Sequence, residues 1–393
     1  MSQSRIILAV GCLVFLALGL VTGSIGTILG EVSVNTLTPL EAIGALYTAL
    51  FLGTITSQIA SGYIHDRLGA RFLLLGGLML NVAGVSGYTT SQSFYLMLFF
   101  GFLSGLGFGA LLMSIQMMIS VTFPDLRVRY LSLINTFFGI GAIIGPLIGS
   151  QTIVLYQTAR PPLWLGALVM FAVIPITWFL ITPQRPQLNT VQTDQTISMQ
   201  SLFFSPWVWI FGLLFLLYIG IENGVGGWTS EYLELTLRLS EANAAQVISA
   251  FWATFTIGRA LNTAVSARLS PPVILFACFI GALCATLLLG ASQGNQTLTF
   301  GAILLMGLSF GPIYPTTFGY LTLLFPKSAA KAASIATGIG SLGGATLTAQ
   351  QGTVLVNLGP ASNNLYLIAI AISMLVIFAI IQFGQTRQQT QVA

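Results

Sequence analysis

Apolar residues run in long unbroken blocks separated by short polar turns, with no period-two alternation. Twelve blocks stand near 6–30, 39–64, 71–90, 93–122, 129–156, 162–182, 205–230, 243–265, 272–291, 296–325, 331–357 and 362–384. A helix needs about 20 apolar residues to cross hydrocarbon, so the pattern predicts an all-α membrane protein of twelve transmembrane helices. A β-barrel would show short alternating segments instead. The first block is too long for a signal-peptide core and lacks a small-residue cleavage site, so it reads as a helix.

The pattern is also written twice. Gly139-Ile-Gly-Ala-Ile-Ile-Gly145 returns as Gly338-Ile-Gly-Ser-Leu-Gly-Gly344, and Gly105-Leu-Gly-Phe-Gly109 as Gly307-Leu-Ser-Phe-Gly311. The Phe-Pro at 123–124 returns at 325–326, and Arg67-Leu-Gly69 as Arg268-Leu-Ser270, giving offsets of 199, 202, 202 and 201 residues. Two pseudo-symmetric six-helix bundles are expected, at 1–182 and 205–384. A polar linker at 183–204 joins them, and a Gln-rich tail at 385–393 is expected to lack structure. Duplications of this kind place substrate sites at the interface of the halves. Glycines recur every fourth residue, as at Gly101, Gly105, Gly109 and at Gly141, Gly145, Gly149, which lets helix backbones approach closely.

Composition strengthens this reading. Charged residues are 6% and apolar residues 55% of the chain, against the usual quarter charged in soluble domains. Lipid is the expected solvent. With cytoplasmic termini, ten cations fall inside: Arg5, Arg67, Arg71, Arg127, Arg129, Arg185, Arg268, Lys327, Lys331 and Arg387. Only Arg160 and Arg238 fall outside, an asymmetry that sets orientation. The net charge of +4 is therefore a topology signal and gives no hint of nucleic-acid binding. A plasma (cytoplasmic) membrane location and a monomer are expected. Cys12, Cys278 and Cys284 read as packed thiols, without disulfide or metal spacing. The Asn295-Gln-Thr triplet reads as a chance match to a glycosylation pattern.

Gly62-Tyr-Ile-His-Asp66-Arg67-Leu-Gly69-Ala-Arg71 joins the second and third blocks. It resembles the signature loop of the major facilitator superfamily. Gly62 permits close helix contact, Asp66 offers an anion to a neighbouring helix end, and Arg67 and Arg71 hold the loop inside. In the second half Ala267 stands where Asp66 would. The segments at 134–149, 218–228, 251–259 and 307–319 are similar to the fucose/glucose permease branch. That resemblance implies transport of a monosaccharide or similar polyol, commonly with H+ or Na+ as coupling ion, and no organic cofactor. Members with an ionisable residue in the first or fourth helix differ from this chain, where Gly, Ser, Thr and Gln occupy those stretches.

Glu222 is the one acid well inside a hydrophobic block, where a charge costs about 2.5–3.5 kcal/mol and faces a cavity or partner. It is a candidate for sugar binding, ion coupling or structural pairing. Tyr218 shares its helical face. Arg259 is the other buried charge, about 10 Å deeper by helical rise, so a direct pair is not expected and a gating or structural role is. Gln116, Asn135 and Asn223 offer amides that donate and accept; Trp228, Trp252 and Tyr314 offer aromatic faces. Trp228 can equally mark a membrane boundary. Pro312 and Pro315 each remove a helical N–H and break the tenth block, which reads as a kinked gate helix.

The sequence thus predicts a secondary carrier working by alternating access. No phosphate-binding loop supports an ATP-driven pump, and the single His, at 65, accompanies no catalytic constellation that would suggest an enzyme. The rivals are an exporter of amphipathic compounds and a ligand sensor that does not transport.

Overall fold

The computed structural model describes residues 3–123, 127–182, 199–266, 268–325 and 328–392, and every regular element among them is helical. The expected linker up to residue 198, Ala267, Lys327 and both Phe-Pro prolines lie outside the described residues, as do the side chains of Gly62 and Asp66. Helix α1 (Gln3–Ser24) passes through a 3-10 turn (Gly26–Ile28) into α2 (Leu29–Thr36), and α3 (Leu40–Ile43) leads into α4 (Ala45–Leu68). Then come α5 (Ala70–Thr90), α6 (Phe94–Thr122), α7 (Arg127–Tyr156) and α8 (Pro161–Leu180). The rest is α9 (Met199–Phe203), α10 (Pro206–Leu237), α11 (Glu241–Val265), α12 (Pro271–Ala291), α13 (Gln296–Phe310), α14 (Ile313–Leu324) and α15 (Ala329–Val392).

Ten stretches among the described residues are long and apolar enough to span a membrane, and the last, Lys331–Gln385, holds two of the twelve blocks. Gly359 divides it with φ 84°, a conformation that glycine adopts without strain, and Pro360 follows. Gly69, with φ 83°, does the same between α4 and α5. The eighth block forms α11 but is absent from those ten, since Asn243, Gln246, Arg259 and Asn262 make it less apolar than the others. The segment after Phe383 does not lack structure: α15 continues to Val392.

The chain forms two compact units. One holds Met1–Asn189, Gly226–Glu234 and Arg238–Trp252; the other holds Thr190–Val225, Leu235–Leu237 and Ala253–Ala393. Helices α10 and α11 are thus each divided between the units.

In the first unit α6 packs on α4 and α5, and α1 packs on α7 and α8. Helices α4 and α6 cross glycine on glycine: a Cβ at Gly53 would overlap the Phe102 carbonyl, and one at Gly105 the Leu50 carbonyl. The second unit repeats this crossing. A Cβ at Gly258 would overlap the Leu308 carbonyl, and one at Gly311 the Phe255 carbonyl. Gly141 on Leu16 and Gly343 on Leu216 form a second such pair. The duplication therefore extends to backbone contacts. The equivalences are shifted from the sequence repeat: Gly311 plays the part of Gly105, one turn away from its sequence partner Gly307. In the first unit Gly105 also faces the Thr54 N–H; in the second, Gly311 faces the Arg259 N–H. Arg259 thus stands in the place of a threonine.

Charges assigned by sequence to loops turn out to be fasteners. Glu31 accepts from Arg160 Nε at 2.6 Å, from the Thr158 hydroxyl at 3.0 Å and from the Ala159 N–H at 3.0 Å. Arg160 also donates to the Thr89 carbonyl at 2.6 Å, tying α2 and α5 to the start of α8. Arg71 donates to the Trp178 carbonyl, with its guanidinium 5.4 Å from the Trp178 ring. Asn295 is the N-cap of α13 and accepts from the Leu298 N–H at 3.1 Å. Of the three thiols only Cys12 is buried, whereas Cys284 is exposed and so is not packed as expected.

Candidate functional site

The second unit gathers four of the residues singled out from sequence. Tyr218 and Glu222 lie one turn apart on α10, a spacing that puts them on one face. The Tyr218 side chain is fully buried, and its hydroxyl donates to the Phe310 carbonyl at 2.9 Å. The Glu222 carboxyl lies beside the same hydroxyl and in the field of Arg259. Tyr314 completes the cluster, its ring 6.4 Å from that of Tyr218 and 5.3 Å from that of Phe215. Glu222, Asn223 and Tyr314 remain partly accessible, so the cluster is not sealed.

Arg259 lies within electrostatic range of Glu222, but no ion pair joins the two among the described residues, in keeping with the depth difference expected from helical rise. The guanidinium also sits 4.5 Å from the centre of the Phe255 ring, one turn back on α11, a cation–π contact that favours Arg over Lys. Its Nε is buried without a hydrogen-bond partner.

The tenth block breaks at Gly311-Pro312, where α13 ends at Phe310 and α14 starts at Ile313; Pro315 does not break it, lying in the first turn of α14, where a missing N–H is tolerated. The Leu308 carbonyl, which loses its donor to Pro312, is covered by the close approach of Gly258. A Cα–H there is a weak donor, a second-order stabiliser. Phe310, at the edge of this break, carries the carbonyl that Tyr218 reaches.

The other residues do not join the cluster. Asn223 turns its amide back on the Ile219 carbonyl at 2.9 Å. In the first unit Gln116 and Asn135 are exposed, and Asn135 donates to the Leu131 carbonyl at 2.8 Å. Exposed amides on spanning helices are costly against lipid and are at home in a watered cavity. Trp228 is fully buried in the protein interior. Trp252 is buried too, with its ring against Gly226. Arg67 is exposed, beside Gly69 at the turn into α5.

Three features went unread in the sequence. Phe255 is one apolar residue among many, and only its spacing of four from Arg259 signals it. Asn262 accepts from the Thr316 hydroxyl at 3.3 Å, a polar pair between α11 and α14. Gln351 is buried, with its Oε1 unpartnered and lying against Gly224. Among the described residues no group of three His, Cys, Asp or Glu side chains could hold a metal.

Comparison with known proteins adds to this geometry. The chain is similar to human sodium-dependent glucose transporter 1, at 20% identity over 356 residues, covering 81% of this chain and 68% of the relative. It is also similar to the multidrug resistance protein MdtH of Aeromonas hydrophila, at 36% identity over 114 residues, 28% of each chain. Among solved structures, a D-xylose-proton symporter matches with a TM-score of 0.80 at 16% identity, covering 95% of this chain and 97% of that one. A family model described as Major Facilitator Superfamily matches residues 7–348. With its duplicated glycine crossings and its spanning helices, the chain belongs to the major facilitator superfamily, and it is a multi-pass integral membrane transporter rather than an enzyme.

Proposed function

We propose that this chain is a secondary transporter of a monosaccharide or similar polar small molecule, working by alternating access between two six-helix bundles. The observation that carries this reading is the cluster of Tyr218, Glu222, Arg259 and Tyr314. Carboxyl, guanidinium and phenol groups gathered in one partly accessible cluster suit the alternating donors and acceptors of a polyol, and aromatic faces suit its C–H surface. The sugar named for the human relative supports the substrate class. Gln116, Asn135, Asn223, Trp228 and Trp252 are proposed as further substrate contacts. The reading puts both termini in the cytoplasm of a plasma membrane, following the cation asymmetry.

Coupling is proposed to H+ or Na+ at Glu222. Gly62, Asp66, Arg67, Gly69, Arg71, Arg259, Pro312 and Pro315 are proposed to act in gating. The test is uptake into proteoliposomes of a monosaccharide panel, with an imposed proton gradient, an imposed sodium gradient or none. Saturable uptake of one or more sugars supports the reading, and flat uptake across the panel rejects it. The 36% identity to a multidrug resistance protein over 114 residues favours a second reading, export of amphipathic compounds. That reading predicts dye efflux in place of sugar uptake, insensitive to changes at Gln116 and Asn135.

A further inference from the structure

One hydroxyl stands between the Glu222 carboxyl and the break that separates α13 from α14. The Tyr218 hydroxyl has a single proton and two acceptors within reach, the Phe310 carbonyl at 2.9 Å and the Glu222 carboxyl, and it can serve only one of them at a time. While that proton is on the Phe310 carbonyl, the hydroxyl presents only oxygen lone pairs toward Glu222. A protonated Glu222 can donate to that oxygen, completing a chain from carboxylic acid to phenol to carbonyl. An ionised Glu222 cannot: two acceptors would face each other until the phenol turned its proton to the carboxylate. That turn would leave the Phe310 carbonyl, and Phe310 is the last residue of α13 before Gly311 and Pro312.

We propose that Tyr218 is a positioning residue that reports the protonation of Glu222 to the helix break. With Glu222 protonated, Tyr218 holds the Phe310 carbonyl and fixes the bend. When Glu222 loses its proton to water, the Tyr218 O–H swings to the carboxylate and the bend is released. The break responds to so small a change because its backbone is under-bonded, since neither Pro312 nor Pro315 can donate to the preceding turn. The other groups facing the carboxyl are Arg259 from α11 and Tyr314 from α14. Neither reaches the Phe310 carbonyl in this arrangement. This inference names the regulation of the site proposed above, but its test needs no substrate.

The experiment is amide hydrogen exchange on the full chain in nanodiscs across a pH series, corrected for intrinsic rates. The peptide read covers 305–320, with a peptide from α12 as reference. The wild-type chain should exchange about fivefold faster on the alkaline side of a single transition, the population change expected for one net hydrogen bond. Glu222→Gln, whose amide donates to Tyr218 at every pH, should stay protected throughout. Tyr218→Phe should exchange fast throughout. A transition that persists in Glu222→Gln overturns the proposal, as does a wild-type peptide with no transition. Should Tyr218→Phe fail to fold, Glu222→Gln against wild type decides alone. Flat sugar uptake with these exchange results intact would reject the substrate reading and leave the relay standing.

Discussion

Gly26 is where a single methyl group should change the conformational balance. In the first unit the turn after α1 lies against the C-terminal part of α10. A Cβ on Gly26 would stand 2.7 Å from the carbonyl oxygens of both Gly226 and Gly227. Atoms at rest keep about 3.5 Å apart, so the two backbones must separate by about 0.8 Å. A gap of that size forfeits a quarter to a half of the contact's dispersion well, and overpacking of this kind costs about 1–3 kcal/mol. If this contact is made in one transport state and broken in another, the cost falls on the first state alone. Gly26→Ala should then lower the population of the contacted state by about 5–150-fold relative to the other.

The neighbouring contact between α7 and α11 supplies the assay, since Gln246 donates to the Ser150 hydroxyl at 3.1 Å and Ser249 to the Ile143 carbonyl at 2.9 Å. Cysteines at 150 and 246, in a background lacking Cys12, Cys278 and Cys284, are joined by a short bifunctional thiol reagent. Gly26→Ala should slow cross-linking about fivefold or more while leaving the melting temperature near that of the parent. Gly105→Ala is the control: its Cβ overlaps the Leu50 carbonyl inside the α4–α6 crossing, so it should lower melting and leave cross-linking alone. Unchanged cross-linking in Gly26→Ala, with melting reduced, would refute the reasoning and make this an ordinary packing glycine.

Three further outcomes are expected. Glu31→Gln weakens the pair with Arg160 and should cost about 2–3 kcal/mol, less than a fully buried pair because both side chains keep some solvent contact; thermal unfolding in detergent reads it, and a melting point unchanged within error would show the pair to be idle. Gly311→Val should prevent the α11–α13 crossing, which a drop of folded material in size-exclusion chromatography would report. Arg259→Lys keeps the charge but loses the planar contact with Phe255, so transport should fall about tenfold or more with folding intact; equal rates would remove Arg259 from the site.

Much of the helical framework was legible because lipid imposes it: apolar length fixes a span, and Pro312 fixes where one span breaks. The repeated Gly and Arg-Leu segments made the duplication readable, yet they placed its register one turn away at Gly311. Contact equivalence follows the crossing point of helices, and nothing local in the chain encodes that point. The candidate chemistry was legible as departures from the repeat. Glu222 and Arg259 stood out as charges in apolar blocks, and the structure puts Arg259 where the first unit has Thr54. Phe310 could not be found by residue type at all, since its contribution is a carbonyl that every residue carries. Arg160 read as an outside charge alone, because its pairing with Glu31 across 129 positions leaves no local signature.

The most direct test of the account is driven accumulation against counterflow in proteoliposomes, wild type beside Glu222→Gln. A monosaccharide accumulated under an imposed proton or sodium gradient by the wild-type protein, with Glu222→Gln losing accumulation but retaining exchange between preloaded vesicles, is the predicted result. Accumulation that survives Glu222→Gln, or no sugar movement by the wild-type protein under any gradient, would contradict it.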